Sequence, residues 1–168
     1  MLLSPWPPMC SAASGWSYPD KTRVVGLNNG QGFDFLGFHH QVVTSTRWPG
    51  RRYLQTWPSA KAMKRARIRQ ITAKRMQFMG LEATVEALNR FLRGWGAYFR
   101  HGNSGRKFGQ LDAYVHLRLA HYEMMRHGRR GWGWTTHYRL PWLRATGVHR
   151  LSGTVRWGPT HALGEGRR

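Results

Sequence analysis

Twenty-seven lysines and arginines stand against seven aspartates and glutamates in this chain of 168 residues, a formal charge of +20. Side chains in that ratio neutralise phosphates and release counterions, so nucleic acid is the expected partner. The competing reading is an arginine-inflated but ordinary solvated surface. Covalent chemistry has fewer means. Metal-assisted catalysis needs two or more carboxylates converging on an ion, whereas Asp20, Asp34 and Asp112 fall in separate stretches without a partner carboxylate. Nine histidines offer zinc or acid–base chemistry instead. His39 and His40 are adjacent in an extended stretch and point apart. His116 and Glu123 share a helical side but lie two turns apart, roughly 10 Å along the axis, and His121 faces away from both. A zinc site needs three or four converging ligands, and an acid–base nuclease needs a paired donor and acceptor. No catalytic residue, metal site or cofactor is expected.

The cations need elements to carry them, and three amphipathic helices are available. The central one is read over residues 81–101. Leu81, Val85, Leu88, Leu92, Trp95 and Phe99 recur at helical spacing to form an apolar stripe, with Arg90, Arg93 and Arg100 projecting away from it. Before it, Ser59 reads as the N-cap of a helix from about Ala60 to Phe78, closed by Gly80. Lys61, Lys64, Arg65, Arg67, Arg69, Lys74 and Arg75 lie on that helix with no compensating acid. After it, Ser104 reads as the cap of a third helix whose stripe is Phe108, Leu111, Val115, Leu119 and Tyr122. Gly128 closes this helix behind Arg126 and His127, cations suited to the negative end of its dipole. Such helices pack as a three-helix unit, each large buried side chain contributing about 1.5–3 kcal/mol before entropy. Trp95 and Phe99 belong to that core. Tyr98, off the stripe, and Trp132 and Trp134, beside glycines, are the candidates for stacking on bases.

The flanks are weaker. Residues 1–17 are proline-bearing and irregular. Thr22–Leu27 and Phe33–Phe38 read as two strands joined by Asn28-Asn29-Gly30, a marginal hairpin unless a larger sheet supports it. Gly37 marks a bulge or close approach within the second strand. Residues 39–57 read as a polar connection with a Pro49-Gly50 turn. The tail from Arg129 is tryptophan- and arginine-rich and irregular, apart from a possible strand at Leu151–Val155. One cysteine, Cys10, excludes internal disulfides and cysteine-paired zinc sites. No apolar run reaches the roughly 18–20 residues that span a bilayer, and the proline-broken opening lacks a basic leader. Cytoplasmic residence without membrane attachment is the expectation.

Several phrases resemble one family in both order and spacing. Pro19-Asp20-Lys21-Thr22 and Gly32-Phe33-Asp34-Phe35-Leu36-Gly37-Phe38 resemble the end of the palm in group II intron reverse transcriptases. Pro58-Ser59-x-Lys61, Asn89-x-x-Leu92-Arg93-Gly94-Trp95-x-x-Tyr98-Phe99 and Phe108-x-x-Leu111-Asp112-x-Tyr114-Val115-x-x-Arg118-Leu119 are similar to the maturase domain that follows it. That domain is also called domain X or the thumb. Leu151-Ser152-Gly153-Thr154-Val155-Arg156 is similar to the end of bacterial members without an endonuclease. The resemblance covers about residues 18–157. It implies a primer-grip-like role for Phe35, Leu36, Gly37 and Phe38, and helices that bind intron RNA and assist its folding for splicing. It would place Lys21 near the active site of a complete palm; read alone, Lys21 is a surface lysine at a strand start.

The family's Tyr-x-Asp-Asp motif, fingers and endonuclease are not in this sequence, and residues 1–17 do not match its pattern. The expectation is therefore a mainly α fragment in four parts: an irregular segment 1–17, a palm-end hairpin and linker 18–57, a helical maturase domain 58–128 and an extension 129–168. Lys61, Lys64, Arg65, Arg67, Lys74, Arg75, Arg90, Arg93, Arg100 and Arg126 are the expected RNA contacts. Group II intron RNA is the expected partner, with a reverse-transcriptase palm on a separate chain as a second. Two rivals stand beside this reading. One is a nucleic-acid chaperone without intron preference. The other is the C-terminal part of a split, or a pseudogene product, of an RNA-directed DNA polymerase.

Overall fold

The computed structural model describes residue 26 and residues 30–46, 48–128 and 137–156. The irregular segment 1–17, Lys21, most of the Thr22–Leu27 strand candidate, Asn28, Asn29, Trp132, Trp134 and Trp157 lie outside them. Helices make up about half of the described residues. None is long and apolar enough to cross a membrane.

A three-stranded antiparallel sheet comes first, in the order β1 (Gly32–Phe35), β2 (Phe38–Thr44), β3 (Arg52–Pro58). The strand expected over Phe33–Phe38 is instead a hairpin. Leu36 and Gly37 both take positive φ (48° and 81°), and Phe35 pairs with Phe38 across them. Two consecutive left-handed residues make the tight turn whose twist suits a two-residue hairpin. The sheet's missing strand is the stretch read as a polar connection. Residues 38–44 and 52–58 pair in full register, Phe38 with Pro58 through Thr44 with Arg52. Gly50, at φ 83°, turns the chain between them.

The helical part opens later than predicted. Ser59 is buried, and its Oγ accepts from the Ala62 amide at 3.3 Å, closing a tight turn rather than capping a long helix. Helix α1 runs only from Arg65 to Ile71, and a 3-10 helix follows over Lys74–Met79. The break falls at Thr72. Its hydroxyl accepts from Arg118 Nε at 3.0 Å and its carbonyl from Arg118 Nη2 at 3.1 Å. A helix-ending contact from 46 residues away leaves no local signature. Gly80, at φ 78°, ends the 3-10 helix as expected and begins α2 (Gly80–Phe99).

Helix α3 spans Gly105–Arg126. Ser104 occupies its cap position, but the hydroxyl donates backwards to the His101 carbonyl and caps nothing. Both predicted stripes face one core. Val85, Leu88, Leu92, Trp95 and Phe99 meet Phe108, Leu111, Val115 and Leu119 there, with Leu81 packed at the margin. Trp95 donates its indole N–H to the Ala62 carbonyl at 2.8 Å, which pins the 60–63 turn to α2. Buried Tyr122 donates within reach of the Met76 and Gly80 carbonyls and accepts from Thr84 Oγ1 at 3.0 Å.

The tail within 137–156 is not irregular. Helix α4 covers Leu140–Ala145, begun by a proline in its first turn, where the missing N–H costs nothing. Leu143 and Leu151 are buried in the main core, with Trp142, Val148 and Val155 packed against it. Residues 151–155 hold a turn at Ser152-Gly153 instead of the expected strand, and a single bridge follows them between His101 and Arg156. Asp112 holds this segment to α3, its carboxylate accepting from the amides of Leu151 (2.9 Å) and Ser152 (2.8 Å) and from the Ser152 hydroxyl (2.5 Å).

Candidate nucleic-acid interface

The sheet docks against the α2–α3 turn, and a cationic groove opens where they meet. Gly102 makes the approach possible. At φ 82°, a Cβ on it would lie 2.7 Å from the Thr56 carbonyl, which accepts from the Asn103 amide at 2.7 Å. Strand alternation sends Tyr53, Gln55 and Trp57 to one face of β3. Gln55 and Trp57, with Asn103 ahead of α3 and Arg106, Lys107 and Gln110 on it, line a hollow of about 530 Å³. A second hollow of about 460 Å³ shares Lys107 and Gln110 and continues to Lys61, Lys64 and Arg65 on the turn before α1. Among the described residues no carboxylate lines either one.

Five cations thus converge on one groove, and a helix start adds to them. The α3 ladder begins with Phe108 donating to the Ser104 carbonyl, so the amides ahead of it fall outside the intrahelical series. The positive end of the dipole carries Arg106 and Lys107 and no acid in the first turn. Each like charge there opposes the dipole by an amount on the order of 0.3–1 kcal/mol. An anion in the groove is attracted to these cations and to the helix end alike, and so offsets their mutual repulsion. Trp57 supplies an aromatic surface at the rim, its ring 5.0 Å from that of His39, which bonds to Asp34 at 2.6 Å. Arg65 also lies over the Tyr114 ring at 5.5 Å, which holds its guanidinium in place.

The predicted contacts divide unevenly. Lys61, Lys64 and Arg65 line the groove, while Arg93 and Arg100 line a separate cleft with residues of the tail. Arg67, Lys74, Arg75, Arg90 and Arg126 line none of these hollows. Arg67 donates to Gln70, Arg90 pairs with Glu86 at 3.3 Å, and Arg126 lies 3.8 Å from Glu123. Phe35 and Leu36 form an exposed apolar hairpin tip, whereas the Phe38 ring packs tilted against that of Phe99, 4.9 Å between centroids. Gly37 tolerates its positive φ and the nearby Phe99 ring, and Tyr98 donates to the Leu36 carbonyl at 3.0 Å.

The family model of the group II intron maturase-specific domain matches residues 60–140. The chain carries a group II intron maturase-specific domain. No curated protein and no solved structure matches the chain. The maturase domain contributes Lys61, Lys64, Arg65, Arg106, Lys107 and Gln110 to the groove; Gln55 and Trp57 come from the sheet before it.

Sequence reasoning missed Gln55, Trp57, Asn103, Arg106, Lys107 and Gln110. One local signal for them existed. Two cations in an acid-free first helical turn contradict dipole preference, and such a conflict marks a binding role more often than a structural one.

Proposed function

We propose that this chain is an RNA-binding maturase protein that holds group II intron RNA and favours its splicing-competent fold. The observation carrying this reading is the groove, in which five cations and a helix start of a maturase-specific domain converge with no carboxylate among the described residues. Such a surface neutralises phosphates through released counterions and shifts the RNA toward the conformers it binds best. The helices act as a thumb-like clamp, and the mechanism assigns no covalent step to this chain. The exposed tip Phe35–Leu36 suits contact with a reverse-transcriptase palm, supplied by another chain.

The test is a binding series with labelled group II intron RNA at several salt concentrations, against bulk tRNA as competitor. Replacing Lys61, Lys64 and Lys107 by glutamate is expected to weaken binding and to reduce the salt slope by roughly one unit per lost phosphate contact. An unchanged slope removes the groove from the interface. Equal competition by tRNA leaves a nucleic-acid-binding module without intron preference.

A further inference from the structure

The second cleft carries a separate assignment. Its volume is about 470 Å³, and Arg93, Arg100, His149, Thr154 and Arg156 are among its lining residues, with no carboxylate among the described residues. Three arginines line it from two parts of the chain. Arg93 and Arg100 come from α2 and its cap, whereas Arg156 is delivered by the tail, whose Arg156 amide donates to the Arg100 carbonyl at 2.8 Å. His149 is positioned the same way: its amide donates to Asn89 Oδ1 on α2.

A cationic cluster beside a helix C-terminus has an ordinary explanation, since the helix end is negative. The magnitudes decide against it. The dipole is equivalent to roughly half a charge, and three arginines exceed that several-fold. Moreover, Arg100 Nε is buried with no hydrogen-bond acceptor among the described residues. A buried donor left unmade is costly, and native structures rarely keep one without a use. What fits is a compact tetrahedral anion with several acceptor oxygens, to which forked guanidinium donors are matched.

We propose that this cleft is a discrete phosphate-binding pocket, taking one phosphoryl group of a nucleic acid, either a terminal monoester or a backbone diester. It is formed only when residues 149–156 are seated on α2, and it is distinct from the groove at the start of α3.

The experiment uses the full chain and inorganic phosphate, titrated at constant ionic strength with chloride as the control anion. Amide NMR signals of Gly96 and Gly153 report occupancy. Saturable shifts with phosphate and none with chloride are expected. The Arg93→Gln/Arg156→Gln variant, altered at exposed side chains, is expected to bind phosphate about tenfold or more weakly, as loss of charge-assisted contacts implies. Equal, non-saturating responses to both anions, or full saturation in that variant, overturn the proposal. A short oligoribonucleotide with a 5′-phosphate or a 5′-hydroxyl then separates the two sources. Tighter binding of the phosphorylated form, lost in the variant, assigns the terminal group; equal binding of both, weakened in the variant, assigns the backbone. The groove variant Lys61→Glu/Lys64→Glu/Lys107→Glu keeps the inorganic phosphate response, so failure of the groove reading and failure of this one are distinguishable.

Discussion

Two glycines on α2 put residue-scale packing to a test. Gly94 has open space around a would-be Cβ, whereas a Cβ on Gly96 would lie 2.5 Å from Leu151 Cδ2. Exchanging glycine for alanine inside a helix ordinarily stabilises by about 0.8–1 kcal/mol. Overpacking a filled core costs about 1–3 kcal/mol, and Leu151 is fully buried, so it has no room to retreat. Gly94→Ala should therefore raise stability by about 1 kcal/mol and Gly96→Ala should lower it by a similar amount, as read from urea unfolding. Stabilisation by both would mean that Leu151 is not seated on α2. At this scale the apolar stripes were legible in the sequence, because Val85, Leu88, Leu92, Trp95 and Phe99 obey a single period. The glycine's role was not, since its partner lies 55 residues on. The same holds for Asp112 with Ser152, Arg118 with Thr72 and Tyr122 with Thr84, polar contacts that span 38–46 residues and leave no periodic trace.

Among the elements, α2 and α3 were readable and the rest only in part. Both long helices have unbroken stripes and glycine-bearing ends, so local and tertiary preferences agree. The helix expected over residues 60–78 contains no glycine or proline, and its breaking contact comes from α3. The sheet was obscured by its composition: His39, His40, Gln41, Arg52 and Gln55 look like loop residues, yet the register places them in a sheet with few buried side chains. Helix α3 also offers a prediction with two opposite signs. Arg106 sits exposed in the first turn, where its charge opposes the dipole. Arg106→Glu removes that conflict and adds a favourable acid, a gain on the order of 0.3–1 kcal/mol for each change. The variant should melt a few degrees higher and bind RNA more weakly at the same salt. Both readouts are needed, thermal denaturation and an RNA titration. A variant that is more stable and binds equally well would place Arg106 outside the contact surface.

For the whole molecule, the family match and the folding unit have different limits. The match ends at residue 140, but the core does not. Leu143 and Leu151 are 5% and 0% exposed in the same cluster as Leu92 and Leu111, and Trp142, Val148 and Val155 pack beside them. Burying two leucines contributes about 3–6 kcal/mol, a large share of the 5–15 kcal/mol typical of a whole domain. The molecule also carries a formal charge of +20, whose self-repulsion leaves less margin still at low salt. A fragment cut to residues 60–140 should therefore lack a cooperative urea transition and show poorly dispersed amide signals, while one covering 30–156 should unfold in a single step. Added salt will screen repulsion in both fragments but cannot restore the missing side chains, so raising ionic strength should not rescue the shorter one. If residues 60–140 unfold cooperatively at the midpoint of the longer fragment, the tail contributes nothing to the core, and the phosphate pocket it completes with α2 loses its support.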